Sequence, residues 1–102
     1  MAWHQTMADS DLLMGVCTEV MAGDEMVLLV RTGTGIRACA SRCPHKFMNL
    51  DLGQVEGDRL TCPLHGATFD LISGQPDEET DWAGKLPIYP TKVVKGTICV
   101  KI

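Results

Sequence analysis

The sequence predicts an all-β domain, a small antiparallel sandwich or barrel with two long loops set between its strands. Three observations predict it. Short runs alternate polar and apolar residues, as from Val16 to Met21. Turn signals separate them at regular intervals, as at Ala22-Gly23-Asp24 and Thr32-Gly33-Thr34-Gly35. No apolar period of helical length runs anywhere in the chain.

The elements follow in order. Trp3 to Met7 is a first strand, and Asp9-Ser10-Asp11 caps a single helical turn ending near Gly15. Val16 to Met21 and Glu25 to Arg31 form a hairpin, and Ile36 to Ala40 is the next strand. Regular structure then pauses from Cys43 to Gly57, where Pro44, Gly53 and Gly57 punctuate a loop. Asp58 to Thr61 is a short strand, Cys62 to Gly66 a second loop, and Ala67 to Ile72 a strand closed by Ser73-Gly74. Gln75 to Gly84 is acidic and polar, an exposed connection. Ile88 to Val94 and Thr97 to Ile102 are expected to form a terminal hairpin turning at Lys95-Gly96.

Size and charge narrow the function. The 102 residues make one domain, 1–102, and a chain of this length buries only roughly 60–65% of its unfolded surface. A metal, a disulfide or a partner usually supplements so small a core. The formal charge of −4 argues against nucleic acid, which demands a basic footprint, and suits docking against a basic protein patch. The start, Met1-Ala2-Trp3-His4-Gln5, lacks the basic and apolar segments of a signal peptide. The apolar run Met26 to Val30 is far short of the ~20 residues that span a bilayer. These features predict a cytoplasmic protein with no membrane contact. Thiols stay reduced there, and five unevenly spaced cysteines do not read as a disulfide framework.

Two segments carry the chemistry: Cys43-Pro44-His45 and Cys62-Pro63-Leu64-His65. Each offers one thiolate and one imidazole within a tight turn, and 16 residues separate His45 from Cys62. Such spacing suits two loops at the ends of neighbouring strands, gripping one metal centre from opposite sides. Pro44 and Pro63 stiffen the turns, and Gly66 gives the backbone room beside the centre. A structural zinc site also uses Cys and His, but usually pairs like with like; here each loop mixes the two. Chance placement of structural cysteines and surface histidines is a second reading. The third is a two-iron centre in which two Cys hold one iron and two His the other.

Cys43-x-His45 with Cys62-x-x-His65 resembles the two-loop motif of the Rieske proteins, and Cys62-Pro63-Leu64-His65-Gly66 is a common form of the second loop. The similarity extends to Leu50-Asp51-Leu52-Gly53, Phe69-Asp70 and Leu86-Pro87-Ile88-Tyr89-Pro90. Phe47 departs from it, standing where many relatives have glycine. The length looks like that of the Rieske ferredoxins that serve bacterial oxygenases. The resemblance implies a Rieske-type sandwich or barrel with a cluster-binding subdomain of two loops, about 43–48 and 62–66. It implies one [2Fe–2S] cluster, with Cys43 and Cys62 on a buried iron and His45 and His65 on an outer iron near the surface. The function implied is a one-electron carrier, not itself an enzyme, between an NAD(P)H-dependent flavoprotein reductase and a terminal oxygenase, working as a monomer. The alternative implied is a small Rieske subunit of a larger oxidoreductase such as assimilatory nitrite reductase.

Charge counting then says what the histidines do. Two ferric ions, two sulfides and two thiolates sum to zero, whereas four thiolates would leave −2, so histidine ligation raises the potential. The class spans about −150 to +300 mV, against ~−400 mV for plant-type ferredoxins. High-potential relatives add a cysteine pair and hydroxyl donors around the ligand loops; here the neighbourhoods read Lys46-Phe47-Met48, Leu64, Ala67 and Phe69. The low end of the range is expected.

The remaining candidates have plainer readings. Cys17, Cys39 and Cys99 fall in expected strands and read as small core residues. His4 is expected at the surface, while Trp3, Trp82 and Tyr89 are expected to pack. Phe47 and Met48 would either shield the cluster or form an exposed apolar rim.

Overall fold

β3 (Glu25–Thr32) organises the molecule because both of its faces are buried. Val27, Leu28, Leu29 and Val30 are wholly inaccessible, so the alternation expected of a half-exposed strand is replaced by a continuous apolar run. In the computed structural model, which describes residues 2–44, 49–63 and 66–102, β3 is central to a four-stranded antiparallel sheet. Its neighbours there are β2 (Cys17–Ala22) and β4 (Gly35–Ala40).

The first face of β3 presents Val27 and Leu29, which pack with Ala22, Ala38, Ile98 and Val100. The partner sheet is formed by β1 (Trp3–Ala8), β9 (Thr91–Val94) and β10 (Thr97–Lys101), in the order β1-β10-β9. The other face presents Leu28 and Val30, with Cys39 from β4, to a second core containing Cys43, Leu50, Leu60, Cys62, Phe69 and Leu71. That core lies beneath a small sheet of β5 (Gln54–Glu56), β6 (Arg59–Thr61) and β7 (Thr68–Asp70). The architecture is therefore antiparallel and almost without helix, as the alternation and turn signals predict.

Four details differ from the sequence reading. Gln54–Glu56 is a strand rather than loop, because β6 offers it a ladder through Gln54↔Thr61 and Glu56↔Arg59. The expected strand 88–94 is two strands in different sheets: β8 (Ile88–Tyr89) completes the β3 sheet against β4, and β9 joins β10. Pro90 marks the break, since it has no N–H to donate, while its carbonyl accepts from Lys101 N at 3.0 Å. Glu78–Ala83 is a 3-10 helix bent at Thr80. The Thr80 hydroxyl accepts from the Thr68 N–H at 3.2 Å, which fastens that helix to β7. Finally, the His4 ring packs over the Gly23 turn, half-buried instead of exposed: a methyl on Gly23 would stand 2.8 Å from it. Among the described residues no helix is long and apolar enough to cross a membrane.

Candidate metal centre

Each cysteine of the two motifs stands where a ladder ends and a loop begins. Before the first loop, Ser41 O accepts from Leu50 N at 2.8 Å, and Arg42 bridges Asn49, so the chain enters the loop at Cys43 beside the point where Asn49 leaves it. The second loop is the tip of the β6–β7 hairpin. Thr61 pairs with Thr68, and Cys62 N donates to Ala67 O at 2.7 Å. Gly66 closes the tip by donating to Cys62 O at 3.2 Å, with φ +73°, a conformation that glycine adopts without penalty.

β5 brings the two loops together. It follows the first loop directly and pairs with β6, which leads into the second, so Gln54↔Thr61 sets the exit of one beside the entrance of the other. Gly53 lies at that junction. A methyl there would stand 2.8 Å from Thr61 O and 3.0 Å from Leu50 O, so only glycine lets the loops close to this spacing.

Cys43 and Cys62 are both buried, each 1% exposed, and both belong to the core that holds Phe69 and Leu60. A 260 Å³ cavity lined by Leu52, Gln54, Thr61, Cys62, Pro63 and Gly66 opens beside the second loop. His45 and His65, like Lys46, Phe47, Met48 and Leu64, lie outside the described residues. Among the described residues no group of three or more His, Cys, Asp or Glu side chains gathers as a metal site.

The other cysteines stand apart from the loops. Cys39 is fully buried on β4, and burial pushes its thiol up to about 12, with the nearby Cys17 thiol adding to the shift. Cys17 is half-buried at the start of β2 with its Sγ 3.9 Å from Gly53 O; burial first and then Asp51 raise its pKa. Cys99 is buried in β10, and no disulfide joins the described cysteines. Trp3, expected to pack, is instead exposed, with Lys92 Nζ 4.2 Å from its ring centre. Trp82 is exposed as well, and Tyr89 is half-buried.

A polar clip on the β5–β6 turn, invisible in the motif, holds this region to the central sheet. Thr32 Oγ1 donates to Asp58 Oδ1 at 2.6 Å, Thr34 Oγ1 donates to the same carboxylate at 2.8 Å, and Arg37 Nε lies 3.6 Å away. These hydroxyls, Thr32 foremost, hold Asp58 below the usual carboxylate range, helped by Arg37.

Residues 2–90 match the family model of the Rieske [2Fe-2S] domain. The chain belongs to the Rieske family. It accordingly binds one Rieske-type [2Fe–2S] cluster, and two buried thiols at paired loops are a donor set suited to the cysteine side of that cluster. Ferredoxin CarAc of Metapseudomonas resinovorans is 27% identical over 99 residues, which are 96% of this chain and 92% of that protein. The oxygenase component of chloroacetanilide N-alkylformylase from Rhizorhabdus wittichii is 39% identical over 69 residues. This Rieske chain spans only 20% of that relative's length. Among solved structures, a chain in the complex of reduced oxygenase and oxidized ferredoxin in carbazole 1,9a-dioxygenase has a TM-score of 0.85 at 27% identity. The match covers 96% of this chain and 91% of that one. A putative NADH-dependent nitrite reductase small subunit from Mycobacterium tuberculosis shares the fold, with a TM-score of 0.86 at 23% identity over 99% of this chain and 96% of that one.

Proposed function

We propose that this Rieske protein is a one-electron carrier that takes electrons from an NAD(P)H-dependent flavoprotein reductase and delivers them to a terminal oxygenase. The observation that carries the reading is the placement of Cys43 and Cys62, buried in one core at the mouths of two loops that β5 holds side by side. The near-complete overlap with a ferredoxin of similar length supports it. So does the likeness to a chain from a complex of oxygenase and ferredoxin.

In this reading Cys43 and Cys62 bind the inner iron, and His45 and His65 bind the outer one. The cluster supplies a site that gains and loses one electron without breaking a bond. The chain's own residues do the rest. Leu60, Phe69 and Leu50 keep water from the cysteine side, and the bonds at Ser41, Leu50, Cys62 and Ala67 fix the loop bases so that ligands move little between redox states. Residues 1–102 act as a single domain and a monomer in the cytoplasm, with transient docking to each partner and no catalytic step of their own. Loops 43–48 and 62–66 contain neither an added cysteine nor a hydroxyl, which favours a potential at the low end of the Rieske range.

EPR of the dithionite-reduced protein tests the assignment. A rhombic signal with the lowered average g of mixed Cys/His ligation is expected; a four-cysteine signal, or none, sinks it. The potential should also fall at alkaline pH as the distal imidazole nitrogens lose protons, and a flat profile would count against histidine ligation. The alternative, a small subunit of a larger oxidoreductase, predicts co-elution with a large subunit on size exclusion of the native protein instead of a free monomer.

A further inference from the structure

The seam between the two halves of the molecule holds a cavity that electron transfer leaves unused. It measures 470 Å³, within the about 300–1,000 Å³ range of small-molecule sites. β4 supplies Ile36 and Arg37 to its wall, the turn after β7 supplies Ile72 and Ser73, and Lys85 and Tyr89 come from the approach to β8 and from β8 itself.

Backbone contacts set the shape of this recess. Leu86 N donates to Gly74 O at 2.8 Å, and Leu71 N donates to Asp58 O at 2.7 Å, so the turn after β7 is tied on both sides. Gly74 takes φ +79°, and a methyl there would collide with Leu86 O. The cavity is therefore a feature of the packed fold rather than a gap between loose segments.

Its chemistry is one-sided. None of the 13 Asp and Glu residues lines it, whereas Arg37 and Lys85 both do. Carboxylates reach the lining only from outside, and each is already engaged. Asp58 accepts from Thr32 and Thr34 and faces Arg37 Nε at 3.6 Å. Asp70 Oδ1 accepts from Ile72 N at 2.7 Å and from Ser73 N at 3.2 Å, and Asp70 stands opposite Arg59 in the ladder. Burial, and then Glu25, raise the Tyr89 phenol above its ordinary value, so Tyr89 adds no negative charge at neutral pH. Lys85 is exposed and forms no ion pair among the described residues. Ser73 Oγ accepts from Gln75 N at 3.2 Å and keeps its own proton to donate. Beside these polar groups Ile72 leaves 56% of its surface uncovered.

We propose that the cavity binds a monocarboxylate with an apolar body, its carboxylate on Lys85 and Ser73 at the edge of Arg37 and its body against Ile36 and Ile72. An unpartnered ammonium and an uncovered isoleucine in one recess select a ligand with both characters. A bare inorganic anion would leave the isoleucine wet, and an uncharged hydrocarbon would cover the lysine without replacing its water. The bound acid would span the turn after β7 and β4, and so would stabilise the junction between the ligand-cysteine half and the central sheet.

Equilibrium dialysis of the cluster-loaded protein with radiolabelled benzoate and with radiolabelled octanoate tests the site. Saturable binding of at least one acid is expected, and the tighter of the two tells whether a ring or a chain fills the recess. Benzyl alcohol and inorganic phosphate, each with one half of the character, should displace it at least about 5-fold less well than the unlabelled acid. Lys85→Gln should weaken binding about 3- to 5-fold, the size of an exposed ion pair, and Ile72→Glu, which sets a carboxylate at the mouth, should abolish it. Both substitutions are at exposed positions, so visible absorbance and far-UV circular dichroism should match the native protein. Lys92→Gln, on the far sheet, should bind as the native protein does. No saturable binding of either acid overturns the proposal. So does binding that survives Ile72→Glu, or displacement by benzyl alcohol as effective as by the acid.

Discussion

The two cores on either side of β3 are built on different terms. The core under β1, β9 and β10 is aliphatic, Leu12, Val27, Leu29, Ala38, Ile98 and Val100, and comes mostly from strands of four to eight residues. The core under the two cysteine loops holds three cysteines, takes Leu50 and Leu86 from irregular segments and Ala83 from the 3-10 helix, and is roofed by strands of three residues each. Three-residue strands with few ladder bonds are marginal alone, so this half relies on clips at Asp58 and Thr80 and on whatever joins Cys43 to Cys62. With Cys43 and Cys62 as the proposed ligands, the difference teaches that the cluster would contribute to folding on one side of the molecule only.

Removing a proposed cluster ligand should expose that asymmetry most strongly. Cys43→Ser or Cys62→Ser is expected to abolish the visible absorbance and to speed amide exchange in β5, β6 and β7 by about 100-fold or more, while β1 and β10 stay protected. Equal loss of protection in both halves would break the comparison.

Truncations in the two cores sharpen it. Phe69→Ala should cost about 3–5 kcal/mol and Leu29→Ala about 2–5 kcal/mol in denaturant titrations. Only Phe69→Ala should bleach the cluster before the global transition, since Phe69 packs in the core of Cys43 and Cys62, the proposed ligands, and Leu29 does not.

A smaller effect is expected at the loop junction. Gly53→Ala places a methyl 2.8 Å from Thr61 O and should cost about 1–3 kcal/mol. Its signature is a shifted EPR spectrum with little change in far-UV circular dichroism.

The smallest effect belongs to Asp58. Its carboxyl sits below the ordinary range when folded, so its contribution is present above the unfolded value of about 4 and is lost as pH falls through the folded value. Asp58→Ala should therefore lower the urea midpoint at pH 6, with the gap closing as pH falls through the folded value. A gap that persists in acid would show that packing, not charge, sets the clip.

Much of this was legible in the chain. Alternation marked β2 and turn residues marked the ends of β3 and β4, because a half-buried strand writes its period into consecutive residues and turns recruit glycine. Cys43-x-His45 and Cys62-x-x-His65 named the metal chemistry, because ligand type and spacing are local properties. The remainder depended on partners distant in sequence. Gln54–Glu56 carries too few residues to show a period and became a strand only beside β6, and that pairing is what draws the two loops together. Pro90 split one expected strand between two sheets, and Asp58 found hydroxyls from the β3–β4 turn 24 and 26 residues away. By itself the sequence determined the β2 alternation and the Rieske motif, which reside in a few adjacent residues. Only the tertiary structure decided which face each core occupies and how the loops meet, because those outcomes depend on long-range pairing whose energy no local segment contains.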